Sequence, residues 1–176
     1  FKRHAHFTLE KIALGGVFDL IGGGFSRYSV DEKWHIPHFE KMGYDNGQLL
    51  YSYSCAYQDQ AKEIYQEAVD KTISFLQRDL SDAQGGFYAA LDADSLDAQK
   101  TLTEGAFYVW TISELETLGL LNQPYFKSYF GINQRGYWEK DQYVFFRKHS
   151  PLEFIQNNHL PESFKNKIIA WEEVLL

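Results

Sequence analysis

Hydrophobic and polar positions along the chain alternate mainly with a helical period. Leu9, Ile12, Ala13, Gly16, Val17 and Leu20 recur at the i, i+3, i+4, i+7 spacing of one helix face, and the glycine run at 22–24 stops it. Gly15 and Gly16 leave room for a close neighbour. A second helix is expected over residues 45–58, with Asp45 as its N-cap and Gln48 reaching back as partner. A third carries Ala61, Ile64, Tyr65, Ala68, Val69, Thr72 and Leu76 on one stripe, so the two predict a helical hairpin. Thr111 with Glu114 and Ser150 with Glu153 have capping-box spacing, and Pro151 suits a first helical position. A short helix at 124–130 and a last one from residue 161 follow, while residues 136–148 alternate as a β-hairpin does. No parallel-sheet unit is predicted.

The loops between these helices repeat a pattern of glycine before aromatics: Gly23-Gly24-Phe25, Gly85-Gly86-Phe87-Tyr88 and Glu104-Gly105-Ala106-Phe107-Tyr108. Glycine admits a positive φ and a close backbone approach, after which the rings can line the mouth of a helical toroid. The plainer alternative is helix capping with ordinary core aromatics.

Composition narrows the function classes. The 176 residues are 44% hydrophobic, with no apolar run near the ~20 residues a membrane span needs. A net charge of -7 works against nucleic acid or anionic membrane as partner, because such binding draws on clustered Lys and Arg. The single cysteine, Cys55, falls among Leu49, Leu50, Tyr53 and Ala56, which predicts a buried, reduced thiol and a cytoplasmic setting. The chain opens at Phe1 without a signal-peptide pattern and stops at Leu176 within an amphipathic helix. Residues 1–176 are therefore expected to be a fragment of one domain, truncated at both ends.

Several polar residues are candidates for chemistry. Asp92 and Asp94 are two apart, on one face of an extended segment, and with Glu104 nearby they could act as the acid and base of glycoside cleavage. The alternative is that DADS is a turn closed by aspartate side chains on their own backbone. A calcium loop is rejected, because Leu96 stands at a ligand position. Arg27 offers a fork of donors, and Tyr28 and Trp34 offer flat faces for a sugar ring. Against this, Arg27 could pair with Asp31 or Glu32, and Trp34 could be core. His38 with Glu40 could move a proton near neutral pH. His35 and His38 lack a third ligand at useful spacing, so no metal and no cofactor are expected.

Three stretches are distinctive together: GGGFSRYSVDEKWHIPHFEKMGYDN over 22–46, GGFYAALDADS over 85–95 and EGAFYVWT over 104–111. They resemble the spermatogenesis-associated protein 20 family with its bacterial YyaL-like members, over most of the chain up to about Lys148. Members of that family resemble a thioredoxin-like domain followed by a six-hairpin (α/α) toroid shaped like glycosidases and N-acylglucosamine epimerases. The resemblance thus implies an all-α fold here: an early part of an (α/α)6 toroid, six-hairpin glycosidase-like, with short β-hairpins in its loops. It also implies an upstream thioredoxin-like domain in the full-length protein. Ser26, Gly43 and Tyr137 stand where the family usually has His, Leu and Asn.

The resulting expectation is a carbohydrate-active domain, a glycoside hydrolase or sugar epimerase, with Asp92, Asp94, His38 and Glu40 catalytic. Arg27, Tyr28, Trp34, Tyr108, Trp110 and Glu104 would bind a small-molecule or carbohydrate ligand. The alternatives are a non-catalytic sugar or metabolite binding module and a purely structural half-toroid. Arg27, Tyr28, His38, Asp92 and Tyr108 are expected to converge, and the 176 residues alone are expected to be inactive, since half a ring cannot exclude water.

Overall fold

The expected helical hairpin is formed by α2 (Gly43–Asp59) and α3 (Glu63–Phe75), which runs on into a π-helical turn at Leu76–Leu80. α3 buries Ile64, Tyr65, Ala68, Thr72 and Phe75, close to the stripe its periodicity predicts. The computed structural model describes residues 1–176 as two units, Phe1–Tyr108 and Val109–Leu176. The fold is mostly helical, with short antiparallel hairpins.

In the first unit, α1 (Lys2–Leu14) stops at Gly15, earlier than the periodicity suggests. Val17 and Leu20 are still buried, but in a loop rather than on the helix. The reason is packing: a Cβ at Gly15 would lie 2.0 Å from the Trp34 carbonyl oxygen, so only glycine lets that turn seat against the helix end. Three ladders tie the loops together. β1 (Tyr28–Ser29) pairs with β2 (Pro37–His38), β3 (Lys41–Met42) with β4 (Ala90–Leu91), and β5 (Asp94–Leu96) with β6 (Leu102–Glu104), all antiparallel.

The core of this unit is aromatic: Phe25 stacks on Tyr53 with centroids 5.2 Å apart and meets Phe18 at 4.7 Å. Asn46 fastens the first glycine loop to α2. Its amide accepts from Phe25 N–H (2.7 Å) and donates to the carbonyls of Phe25 (3.0 Å) and Met42 (2.9 Å), which satisfies a fully buried polar side chain. α2 begins two residues before the expected start, with Met42 at the N-cap, so Asp45 lies inside the first turn and caps nothing. Cys55 is exposed, not buried: the helix turns Tyr53 and Ala56 inward and the thiol outward.

In the second unit, both capping boxes form as the spacing predicts. They open α4 (Ile112–Thr117) at Thr111 and α6 (Pro151–Asn157) at Ser150, with Pro151 in the first turn. Between them lie the short α5 (Phe126–Tyr129) and the hairpin, whose chain reverses between Trp138 N–H and the Gln142 carbonyl at 2.9 Å. β8 (Gln142–Tyr143) also pairs with β7 (Trp110–Thr111). Phe126, Tyr129, Phe130 and Trp171 of α7 (Phe164–Leu175) form the core, with mostly edge-on or tilted contacts.

Candidate functional site

The site is built on the turn that joins β1 to β2. Asp31 accepts hydrogen bonds from the backbone N–H groups of Lys33 (2.7 Å), His35 (3.1 Å) and Ile36 (2.9 Å), curling the chain and holding Trp34 at φ 59. Burial raises the Asp31 carboxyl, but the N–H donors from Ile36, His35 and Lys33 outweigh it and hold the group below its ordinary 3.8. The curl fixes the register that sets Tyr28 opposite His38, and their rings stack with centroids 5.0 Å apart at 24°.

Two carboxylates flank that imidazole. Glu104 Oε1 is 3.0 Å from His38 Nδ1, and Glu40 Oε2 is 3.7 Å from His38 Nε2. Glu40 is itself held by Arg27, whose Nη1 donates to Oε2 at 3.1 Å and whose backbone N–H donates to the Glu40 carbonyl at 2.9 Å. The guanidinium therefore pairs with Glu40, neither with Asp31 nor with Glu32. Glu104 comes from far along the chain, and its place depends on Gly105. That residue adopts φ +70, and a Cβ there would fall 2.5 Å from the Phe39 ring. Its N–H donates to the Ala93 carbonyl at 2.9 Å, which closes the end of the β5–β6 ladder. The group is partly exposed, with half of Tyr28 open to solvent.

No family model matches the chain. Spermatogenesis-associated protein 20 of Homo sapiens is 46% identical over 112 residues, 63% of this chain and 14% of that protein. The Mus musculus protein of that name is also 46% identical over the same shares. An uncharacterized protein of Caenorhabditis elegans is 44% identical over 115 residues, 63% of this chain and 16% of its own length. The chain is a homologue of spermatogenesis-associated protein 20. It spans only about one-seventh of the length of the two mammalian relatives, and they carry the name to which the PHFEKM and DADS stretches pointed.

The distinctive stretches divide into two kinds once located. PHFEKM supplies His38 and Glu40 to the exposed group, but its Lys41 turns inward. Lys41 Nζ donates to Asp19 Oδ2 at 2.7 Å and to the Gly23 carbonyl at 2.8 Å, between the rings of Phe75 (4.7 Å) and Tyr108 (4.6 Å). Burial pushes Lys41 below its ordinary 10.5. Burial also raises Asp19, yet the Lys41 ammonium and the N–H groups of Gly22 and Ile21 overcome this and hold its carboxyl below 3.8. The Asp19 direction decides the state: the pair is ionised, an ammonium facing a carboxylate and a carbonyl.

Tyr108 belongs to this buried box and stacks on Phe39, its hydroxyl pushed upward by burial and by the charges of Asp19 and Asp79. Asp92 uses Oδ1 to accept from Asp94 N–H at 3.0 Å, so the turn reading of DADS holds for it, and both side chains are exposed. Asp94 opposes Glu104 across the β5–β6 ladder. Trp34 packs by its backbone against Gly15. Trp110 lies in the second unit and stacks on Phe145 at 6.0 Å.

The three glycine loops thus do different things: Phe25 is buried and Tyr108 half-buried over Lys41, while Phe87, Tyr88 and Phe107 are exposed. Sequence reading missed Lys41 and Asp19, which carry no spacing signal, and Asn46, whose place beside Asp45 in the YDN stretch was the available hint. Across all 176 residues, no helix is long and apolar enough to cross a membrane.

Proposed function

We propose that residues 1–108 carry a proton-transfer site for a carbohydrate, of the sugar epimerase or isomerase kind, with His38 as the base. The observation behind this reading is the His38 imidazole set between Glu104 and Glu40 beneath the Tyr28 ring. An ionised carboxylate only accepts, so Nδ1 carries hydrogen toward Glu104 and Nε2 keeps its lone pair. Such a nitrogen can remove the proton from the carbon next to a sugar carbonyl, leaving an enolate and an imidazolium that faces Glu40. Returning the proton to either face of that carbon gives the starting sugar or its epimer, with no net change in atoms. Tyr28 offers the ring face on which a sugar rests, and the guanidinium of Arg27 is a donor for the enolate oxygen. A hydrolase built on Asp92 and Asp94 draws less support, because Asp92 is engaged in its own turn.

In the wider protein, the helical hairpins are proposed to belong to an (α/α) toroid that encloses this group, joined to a thioredoxin-like domain and placed in the cytoplasm. The relatives are several times longer than this chain, which leaves room for such further parts. The test uses the full-length protein in D2O with reducing hexoses and N-acetylhexosamines, following deuterium entry at C2 by NMR. Exchange is expected, and His38→Gln is expected to abolish it while sugar binding by calorimetry persists. Exchange that is unaltered by His38→Gln, or no exchange with any of these sugars, rejects the reading.

A further inference from the structure

The two ladders that meet at the His38–Glu104 contact each continue into an apolar pair. Side chains two apart on a strand share a face. On β1–β2 the stacked Tyr28 and His38 are followed by Val30 and Ile36, kept in the same register by the Val30 N–H, which donates to the Ile36 carbonyl at 2.8 Å. On β5–β6 the pair of Asp94 and Glu104 is followed by Leu96 opposite Leu102. Glu104 reaches His38 Nδ1 at 3.0 Å, so the two leucines lie on the His38 side of their ladder. Val30 is 62% exposed, Leu96 64% and Leu102 66%, so the chain leaves all three largely uncovered.

The opposite faces of both ladders are already engaged. Pro37 is buried, and Ser29 Oγ donates to the Asp31 carbonyl at 3.0 Å. Ser95 Oγ accepts from the Phe107 N–H at 2.8 Å. The tip beyond the leucines is stiff: Asp97 Oδ1 accepts from the N–H groups of Gln99 (2.9 Å) and Thr101 (2.8 Å), which sets the pair in one position. Aliphatic side chains fixed around a few converging polar groups are the make-up of a small-molecule site.

We propose that Val30, Leu96 and Leu102 form an apolar subsite continuous with His38, and that the sugar it serves carries a hydrocarbon chain, of the O-acyl kind. This rests on the carbohydrate reading above and narrows its substrate class. A free hexose leaves the three side chains in water, whereas an acyl chain removes apolar surface on both partners. One two-residue step along a strand is roughly 7 Å. The apolar pairs therefore meet the end of a hexose remote from the carbon over His38, which places the chain on the C6 hydroxyl rather than at C2.

Calorimetry on the full-length protein with glucose and its 6-O-acetyl, 6-O-butanoyl and 6-O-octanoyl esters, below micelle-forming concentrations, reads the subsite directly. Affinity is expected to rise at least about tenfold from the acetyl to the octanoyl ester in wild type. The rise should vanish when Leu96→Asn and Leu102→Asn are combined and shrink in Val30→Asn. It should persist in Phe87→Ser, which changes an exposed ring outside both ladders. Val30→Asn, on the other ladder, decides the matter should the double variant fold poorly. A flat response in wild type, or a rise that survives the substitutions at Val30 and both leucines, overturns the proposal. His38-dependent deuterium exchange with glucose then leaves the epimerase reading standing. A leucine-dependent rise without exchange into any of the sugars keeps the subsite and rejects His38 as the base. No binding of any ester and no exchange rejects both.

Discussion

Asp31 shows how one side chain can set the geometry of a site it does not touch. Its three backbone bonds shape the turn that brings His38 under Tyr28, so Asp31→Ala is expected to cost about 2 kcal/mol in denaturant unfolding. It should also slow His38-dependent exchange, and unchanged stability and exchange would show that the turn holds without it. The Asp31 contribution is present above its ordinary 3.8 and lost as pH falls through its lowered folded value. Lys41 makes a larger demand. Lys41→Met leaves Asp19 buried without its partner, at a cost of about 3–5 kcal/mol, whereas Lys41→Met with Asp19→Leu is expected to recover most of it. Because Asp19 is held below 3.8 in the folded state, wild type should lose stability in acid through that window and the double variant should not. A single variant as stable as wild type would mean that the pair is dispensable.

Among the elements, the glycine turns separate conformational cost from steric cost. Gly105 and Gly119 share φ +70, but a Cβ at Gly105 meets the Phe39 ring at 2.5 Å and one at Gly119 meets nothing within 4 Å. Gly119→Ala should therefore cost about 1 kcal/mol and Gly105→Ala about 3 kcal/mol, read from denaturant midpoints. Gly105→Ala should also displace Glu104 and weaken exchange; equal costs at the two positions would refute the packing argument. The helix starts behave more simply. Thr111 and Ser150 were legible as caps because both bonds of a capping box join residues three apart, and Thr111→Ala is expected to cost about 1 kcal/mol. The end of α1 was not legible, because the residue that stops it, Trp34, lies across the loop from Gly15.

At the scale of the whole molecule, every residue of the candidate site lies within the first unit, residues 1–108. That stretch expressed alone is expected to melt cooperatively and to keep the Tyr28–His38 stack, seen as an upfield imidazole shift from the Tyr28 ring. A broad, non-cooperative melt would show that it is no independent unit. The sequence by itself determined the helical hairpin, both capping boxes and the family, because these depend on periodicity, on contacts a few residues apart, or on the order of residues. It also marked His38, Glu40, Arg27 and Tyr28, which stand within fourteen residues of one another and meet across a single turn. Only the tertiary structure decided that Glu104 closes on His38, that Tyr108 and Lys41 face inward and that Cys55 faces out. Those outcomes rest on burial and on pairing between distant segments, where a side chain's role is set by what the fold places opposite it, and linear spacing carries no record of that.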